Sequence, residues 1–167
     1  KEFMKKNGEF TINIALIENQ IPVFGIVCAP AKHVAYYSLK GEGAYKIDEK
    51  NNKIELKATQ FRMESENLTV VCSRSHMSKE VEEYMKNFKN PITISMGSSL
   101  KFMLLAEGKA DIYPRLAPTM EWDTAAAHAI LKEAGGTVIS AENGKELIYN
   151  KEILKNPHFI AMGNVYK

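Results

Sequence analysis

Four short stretches of the chain hold side chains suited to a phosphate or a metal ion. They are Ser73-Arg74-Ser75-His76, Gly97-Ser98-Ser99 with Lys101 just beyond, Arg115, and Asp123 directly after Trp122, the single tryptophan. A serine-rich helix start offers hydroxyls, free backbone N–H groups and the positive end of the helix dipole, which suits a phosphate. Lys101 and Arg115 would add positive charge, and the planar guanidinium can bind two oxygens at once. Asp123, at a helix mouth beside Trp122, has the right chemistry for a metal ligand. Each residue also has an ordinary explanation: Ser98 as a helix cap, Lys101 as a solvated side chain, Arg115 as a partner for Glu121 or Asp111. Asp123 can likewise be an N-cap that accepts from the first free N–H groups.

Loops of this kind must be carried by regular elements. Met120–Gly136 reads as a helix whose body, Thr124–Ala134, holds good helix formers and no proline or interior glycine. Ala126, Ile130 and Ala134 share one face with Ala127 and Leu131 beside them, a thin stripe that lets the helix backbone approach a sheet closely. Gly135 suits the left-handed position after the helix, and Lys132 the negative end of its dipole. Upstream, Leu68–Cys72, Ile92–Ser95 and Asp111–Tyr113 read as strands. They alternate with a helix capped by Ser78 (Val81, Tyr84, Met85, Phe88) and one carrying Leu100, Met103 and Leu104, closed by Gly108. Thr137–Ser140 and Phe159–Met162 are further strands. This alternation predicts an α/β layer with a largely parallel sheet, where ligands gather beyond the C-terminal strand ends.

The first part differs. Phe10, Ile12, Ile14 and Leu16 alternate with smaller or polar residues, and Ile21–Cys28, His33–Leu39, Ala44–Ile47 and Ile54–Ala58 follow at short spacing with turns between them. That pattern predicts an antiparallel meander with one apolar face. None of its residues looks catalytic, and His33 reads as a strand-edge histidine. The expected organisation is residues 1–66 as the remainder of an α+β domain and 67–167 as an α/β domain.

The chain has 167 residues, 45% hydrophobic and 25% charged, with a net charge of +2, which gives no reason to invoke nucleic acid or a membrane surface. Cys28 and Cys72 sit in apolar strand-like runs and read as reduced core residues of a cytosolic protein. No apolar run reaches the ~20 residues a spanning helix needs. The sequence opens on Lys1 and runs almost at once into strand-like residues, which predicts a fragment or processed product.

Trp122-Asp123-Thr124-Ala125-Ala126-Ala127, followed by Gly135-Gly136, resembles the C-terminal signature of the inositol monophosphatase-like phosphatases, with Ala127 where glycine is frequent. Ser73-Arg74-Ser75-His76, Gly97-Ser98-Ser99-Leu100-Lys101-Phe102, the run from Glu107 to Arg115, Pro118-Thr119-Met120-Glu121-Trp122-Asp123 and Tyr149-Asn150-Lys151 narrow the likeness. They resemble the bacterial CysQ-type branch, the 3′(2′),5′-bisphosphate nucleotidases, as does Lys1-Glu2-Phe3. The resemblance implies a layered α-β-α-β sugar-phosphatase-like fold. It also implies a cytoplasmic, lithium-sensitive, Mg²⁺-dependent phosphatase, at the inner face of the membrane in some bacterial relatives. Such an enzyme converts 3′-phosphoadenosine 5′-phosphate to AMP in sulfur assimilation and nucleotide recycling. It further implies Asp123 as the catalytic metal ligand, and Ser98, Ser99, Lys101, Arg115 and His76 as contacts to the nucleotide or its phosphates.

The family's other metal ligands, an upstream glutamate and the two aspartates of Asp-Pro-Leu-Asp-Gly-Thr, do not occur in this sequence. The expectation is therefore a C-terminal portion, inactive by itself, whose sheet is completed by the N-terminal portion of the same protein. Two other readings stay open: an inositol- or fructose-phosphate phosphatase of the same superfamily, and a non-catalytic phosphate- or nucleotide-binding module.

Overall fold

The computed structural model of the chain describes residues 7–73 and 78–166. The alternating apolar residues of the first part form a five-stranded antiparallel sheet. Its strands are β1 (Ile12–Glu18), β2 (Ile21–Ala29), β3 (Val34–Leu39), β4 (Gly43–Ile47) and β5 (Lys53–Glu55), ordered as in the chain. His33 does not join β3. It takes the left-handed conformation (φ 53°) at the end of a 3-10 turn, Pro30–Lys32. On β1, Asn13, Ala15 and Ile17 turn toward the interior, while Ile12, Ile14 and Leu16 stand 54%, 56% and 59% exposed.

After the two-residue strand β6 (Gln60–Phe61) comes a second five-stranded sheet. It is built from β7 (Thr69–Ser73), β8 (Ile92–Met96), β9 (Ile112–Arg115), β10 (Thr137–Ser140) and β11 (Phe159–Met162), in the order β10-β11-β9-β7-β8. Helix α1 (Lys79–Met85), capped by the Ser78 hydroxyl, joins β7 to β8. Helix α2 (Leu100–Ala106) joins β8 to β9. The parallel pairing expected from this alternation is confined to β9-β7-β8, whereas β11 runs antiparallel to both β9 and β10. A strand-helix-strand crossover brings strands in parallel, and the long non-helical link from β10 to β11 does not. A short β12 (Asn164–Val165) pairs with β6.

The tryptophan-bearing helix, α3, spans Glu121–Glu133 and lies on the first sheet. The closeness comes from its alanines and from Gly25 on β2. A Cβ at Gly25 would sit 2.3 Å from the Ala126 carbonyl oxygen and 3.0 Å from the Ala129 methyl. One buried cluster joins Val27, Ala29 and Tyr36 of the meander to Ala126, Ile130 and Leu131 of α3 and to Leu105 and Val71. In the same core Phe102 stacks on Phe159 and Tyr113 meets both rings edge-on, with centroids 5.3–5.9 Å apart. At the far end of α3, Glu133 accepts the backbone N–H groups of Gly41 and Gly43, which ties the β3–β4 turn to the helix. These contacts fix where the mouth of α3 points.

Candidate active site

Asp123 is not the N-cap of α3. That position is Met120, with an extended backbone, and Asp123 is the third helical residue. Its carboxylate reaches back instead: Oδ2 accepts the Met120 backbone N–H at 2.9 Å. Glu121 and Trp122 are already helical, so the aspartate closes the first turn from inside it. The side chain is exposed, and its second oxygen has no hydrogen-bond donor among the described residues. A hard cation takes oxygen ligands of this kind, so Asp123 fits as one ligand of a Mg²⁺ site. Among the described residues no group of three or more His, Cys, Asp or Glu is placed to hold a metal ion. Octahedral coordination would need further oxygens from elsewhere.

Trp122 is 59% exposed and lines a cavity of about 450 Å³ between β1 and α3, together with Asn13, Ile17, Glu121, Ala125 and Tyr149.

The turn Gly97-Ser98-Ser99 lies beside this helix start: the Ser99 hydroxyl donates to the Asp123 carbonyl at 3.5 Å. Ser99, not Ser98, is the N-cap of α2, and neither makes a side-chain cap. Ser98 takes a left-handed backbone, φ 50°, and its hydroxyl lies 2.5 Å from that of Thr11. Lys101 is only 9% exposed. Its ammonium donates to the carbonyls of Ser98 at 2.9 Å and Met96 at 3.4 Å and lies 5.4 Å from the Tyr113 ring centre. A solvated lysine it is not.

Arg115 ends β9 rather than following it. It pairs with neither acid suggested by its sequence neighbourhood. Asp111 accepts the Thr69 backbone N–H, and Glu121 is engaged by Lys151. The Arg115 guanidinium donates to the Pro118 carbonyl at 3.4 Å, and its Nε is buried without a partner among the described residues. Tyr113 joins these groups. Burial pushes its phenol well above the ordinary value, the Arg115 charge pulls it down, and Asp123 and Cys72 push it up, so all three act on it. Contacts thus link Ser99 to the Asp123 backbone and Lys101 to both Ser98 and Tyr113, two residues before Arg115 on β9, and of these only Tyr113 was not a sequence candidate. It sits mid-strand among apolar residues, where its pattern signals core. His76, with Arg74 and Ser75, lies outside the described residues.

Glu121 was also overlooked as a positioning group. It is buried, and its carboxylate accepts the backbone N–H groups of Asn150 at 2.6 Å and Lys151 at 3.3 Å and pairs with the Lys151 ammonium. Burial opposes its charge, but Lys151 and the two N–H groups outweigh it and hold the carboxyl below its usual range. Two turns on, the buried His128 places Nδ1 2.9 Å from the Tyr149 hydroxyl and Nε2 3.2 Å from Glu146. An ionised carboxylate only accepts, so the Nε2 proton points at Glu146 and the Tyr149 hydroxyl donates to Nδ1. Tyr149-Asn150-Lys151 therefore clasps the first turns of α3.

Residues 1–165 match the inositol monophosphatase family. Over 160 residues the chain is 45% identical to the 3′(2′),5′-bisphosphate nucleotidase CysQ of Salmonella typhimurium and 42% identical to that of Escherichia coli K12, covering 95% of this chain in each case. It spans about 62% of the length of those relatives. A crystal structure of CysQ from Bacteroides thetaiotaomicron superposes with a TM-score of 0.88 at 43% identity, over 99% of this chain and 66% of that one.

Proposed function

Since the chain belongs to the inositol monophosphatase family, we propose that the complete protein is a Mg²⁺-dependent 3′(2′),5′-bisphosphate nucleotidase that hydrolyses 3′-phosphoadenosine 5′-phosphate to AMP and phosphate. The observation that carries the reading is the exposed Asp123 carboxylate, held by the Met120 N–H at a helix start whose backbone meets the Ser99 hydroxyl, in a chain 45% identical to a protein named as that nucleotidase. When bound, Mg²⁺ would activate water and neutralise charge on the leaving oxygen.

Asp123 would hold the ion. Arg115, whose guanidinium reaches an exposed position beside Pro118, is suited to a phosphate oxygen. Ser98 and Ser99 would offer hydroxyls from the turn, Lys101 would add its charge against that turn, and His76 would contact the nucleotide. Water supplies the oxygen added to phosphorus, and the ribose 3′-oxygen leaves with a proton. We place the protein in the cytoplasm, as its CysQ-type resemblance implies; separately, no helix among the described residues is long and apolar enough to cross a membrane.

The exposed Ile12, Ile14 and Leu16 on an edge strand, and the single candidate metal carboxylate among the described residues, call for a further segment. We assign that role to the N-terminal portion of the same protein. The lone carboxylate also favours a second reading for residues 1–167 alone, a phosphate-binding unit without turnover. The test is phosphate release by the complete protein from 3′-phosphoadenosine 5′-phosphate, inositol 1-phosphate and fructose 1,6-bisphosphate, with and without chelator. Chelator-sensitive preference for the nucleotide is expected. Preference for a sugar phosphate would move the protein to another branch, and inactivity on all three would leave a binding module.

A further inference from the structure

The turn that carries Ser98 and Ser99 is held by residues far away in the chain. Glu9, 5% exposed, directs Oε2 at the Gly97 backbone N–H, 2.7 Å away in a buried setting. Thr11 meets the Ser98 hydroxyl at 2.5 Å. Asn13 donates to Thr11 from behind at 3.3 Å. From the other side, the Lys101 ammonium gathers the Ser98 and Met96 carbonyls. Between these contacts Ser98 keeps a left-handed backbone (φ 50°). A residue with a Cβ visits that region at a cost, and such a conformation persists only where its surroundings over-determine it.

Burying a carboxylate is costly unless strong hydrogen bonds are returned to it. Here one of those bonds goes to the peptide N–H one residue before the strained serine. Whichever of Thr11 and Ser98 donates to the other, the acceptor keeps its own hydroxyl proton for a third group. The turn adjoins the Asp123 helix through Ser99.

We propose that Glu9, assisted by Thr11, is a positioning residue for phosphoester hydrolysis: it fixes the Gly97-Ser98-Ser99 turn in the form that presents its hydroxyls beside Asp123. The inference rests on the hydrolase reading above. Glu9 acts through the turn and touches no substrate. A turn that contacts the nucleotide equally in the bound and transition states affects KM more than kcat.

The experiment uses the complete protein with Glu9→Ala, Glu9→Gln and Thr11→Val. Hydrogen exchange at the Gly97 amide is measured against Ile112 in β9 as an internal control, alongside kinetics on the phosphomonoester the wild type turns over best. Glu9→Ala is expected to speed exchange at Gly97 by at least about tenfold without changing Ile112. It should also raise KM about tenfold or more with kcat within about threefold, for loss of a hydrogen bond to a charged group. Glu9→Gln, whose amide oxygen still accepts from Gly97, should restore most of both effects. Thr11→Val should show a smaller rise in KM.

Exchange that rises while kinetics stay at wild-type values would overturn the positioning role. Exchange and kinetics both unchanged in Glu9→Ala would overturn the brace itself. A general loss of protection that includes Ile112 and is not rescued by Gln would make Glu9 a folding residue only. A wild-type protein inactive on every phosphomonoester removes the hydrolase reading and this inference with it. A wild type active on a sugar phosphate removes only the nucleotide assignment.

Discussion

Asp123→Asn separates the helix-closing role of the Asp123 carboxylate from the metal-ligand role proposed for it. The asparagine oxygen can still accept the Met120 N–H that now reaches Oδ2, so the start of α3 should survive, with a thermal midpoint within a few degrees of wild type. An amide is a poor ligand for a hard dication, so phosphate release by the complete protein should fall by about a hundredfold or more. Near-normal turnover at saturating Mg²⁺ would leave Asp123 with only its helix-closing role. For Arg115→Ala the expected effect is a loss of about 1.5–3 kcal/mol in substrate binding, read as a higher KM for 3′-phosphoadenosine 5′-phosphate. An unchanged KM would place the phosphate elsewhere. The placing of these residues at element ends was legible from the sequence, but their surroundings were not. A lysine in the first turn of a serine-opened helix looks solvated, yet Lys101 is buried because Tyr113 comes to it from β9 and the Ser98 and Met96 carbonyls turn toward its ammonium. The position of Asp123 was displaced by three residues because Met120 opens the helix without a side-chain cap and the aspartate compensates from within.

At the scale of elements, the packing of α3 is the most exposed claim. The thin alanine stripe was readable from the sequence as a surface for close approach, and Gly25 is the residue that receives it. Gly25→Ala would drive a methyl into the Ala126 carbonyl at 2.3 Å. Backbone on both sides leaves little room to give, so a cost of about 1–3 kcal/mol or more is expected in urea unfolding. A neutral result would mean that α3 does not rest on β2 at this depth. The clasp at the other end of the helix was carried by motifs, Glu121 and Tyr149-Asn150-Lys151, whose mutual contact no local pattern could reveal, since they lie about thirty residues apart. Glu121→Ala removes the acceptor of the half-buried Lys151 ammonium and of two backbone N–H groups and should cost about 1–3 kcal/mol. Its circular dichroism melt, beside that of Glu121→Gln, would show whether the charge or the shape matters. Strand existence was read well where alternation was strong. The direction of β11 was not, because pairing is settled by a partner strand and the sequence shows only the strand itself.

For the whole molecule, the buried polar column behind α3 sets how stability responds to acid. Burial holds the His128 pKa below its ordinary 6.5, with the Glu146 hydrogen bond opposing and the Lys132 charge adding to the depression. Glu146 is lowered from 4.5 to about 2, first by its hydrogen bond with His128 and also by Lys132, against the effect of burial. The signs agree. Below about 6.5 the unfolded chain binds a proton at His128 that the folded chain resists, so stability is complete above that pH and is lost as pH falls toward the depressed folded value. Glu146 contributes stability that is complete above 4.5 and is lost between 4.5 and about 2. Tyr149 and Thr124 also face this site, but neither titrates in that range. One such histidine changes the unfolding free energy by up to about 1.4 kcal/mol per pH unit across its window. His128→Gln should therefore be less stable near pH 7, having lost a fitted ring, yet should show a flatter decline between pH 6.5 and 5 in urea unfolding. Glu146→Gln should flatten the decline below pH 4.5. Because α3 carries both this column and Asp123, acid should loosen the helix mouth as well as the core. If the slopes of His128→Gln and wild type coincide between pH 6.5 and 5, the histidine is already protonated in the folded state, and its pairing with Glu146 is that of an imidazolium.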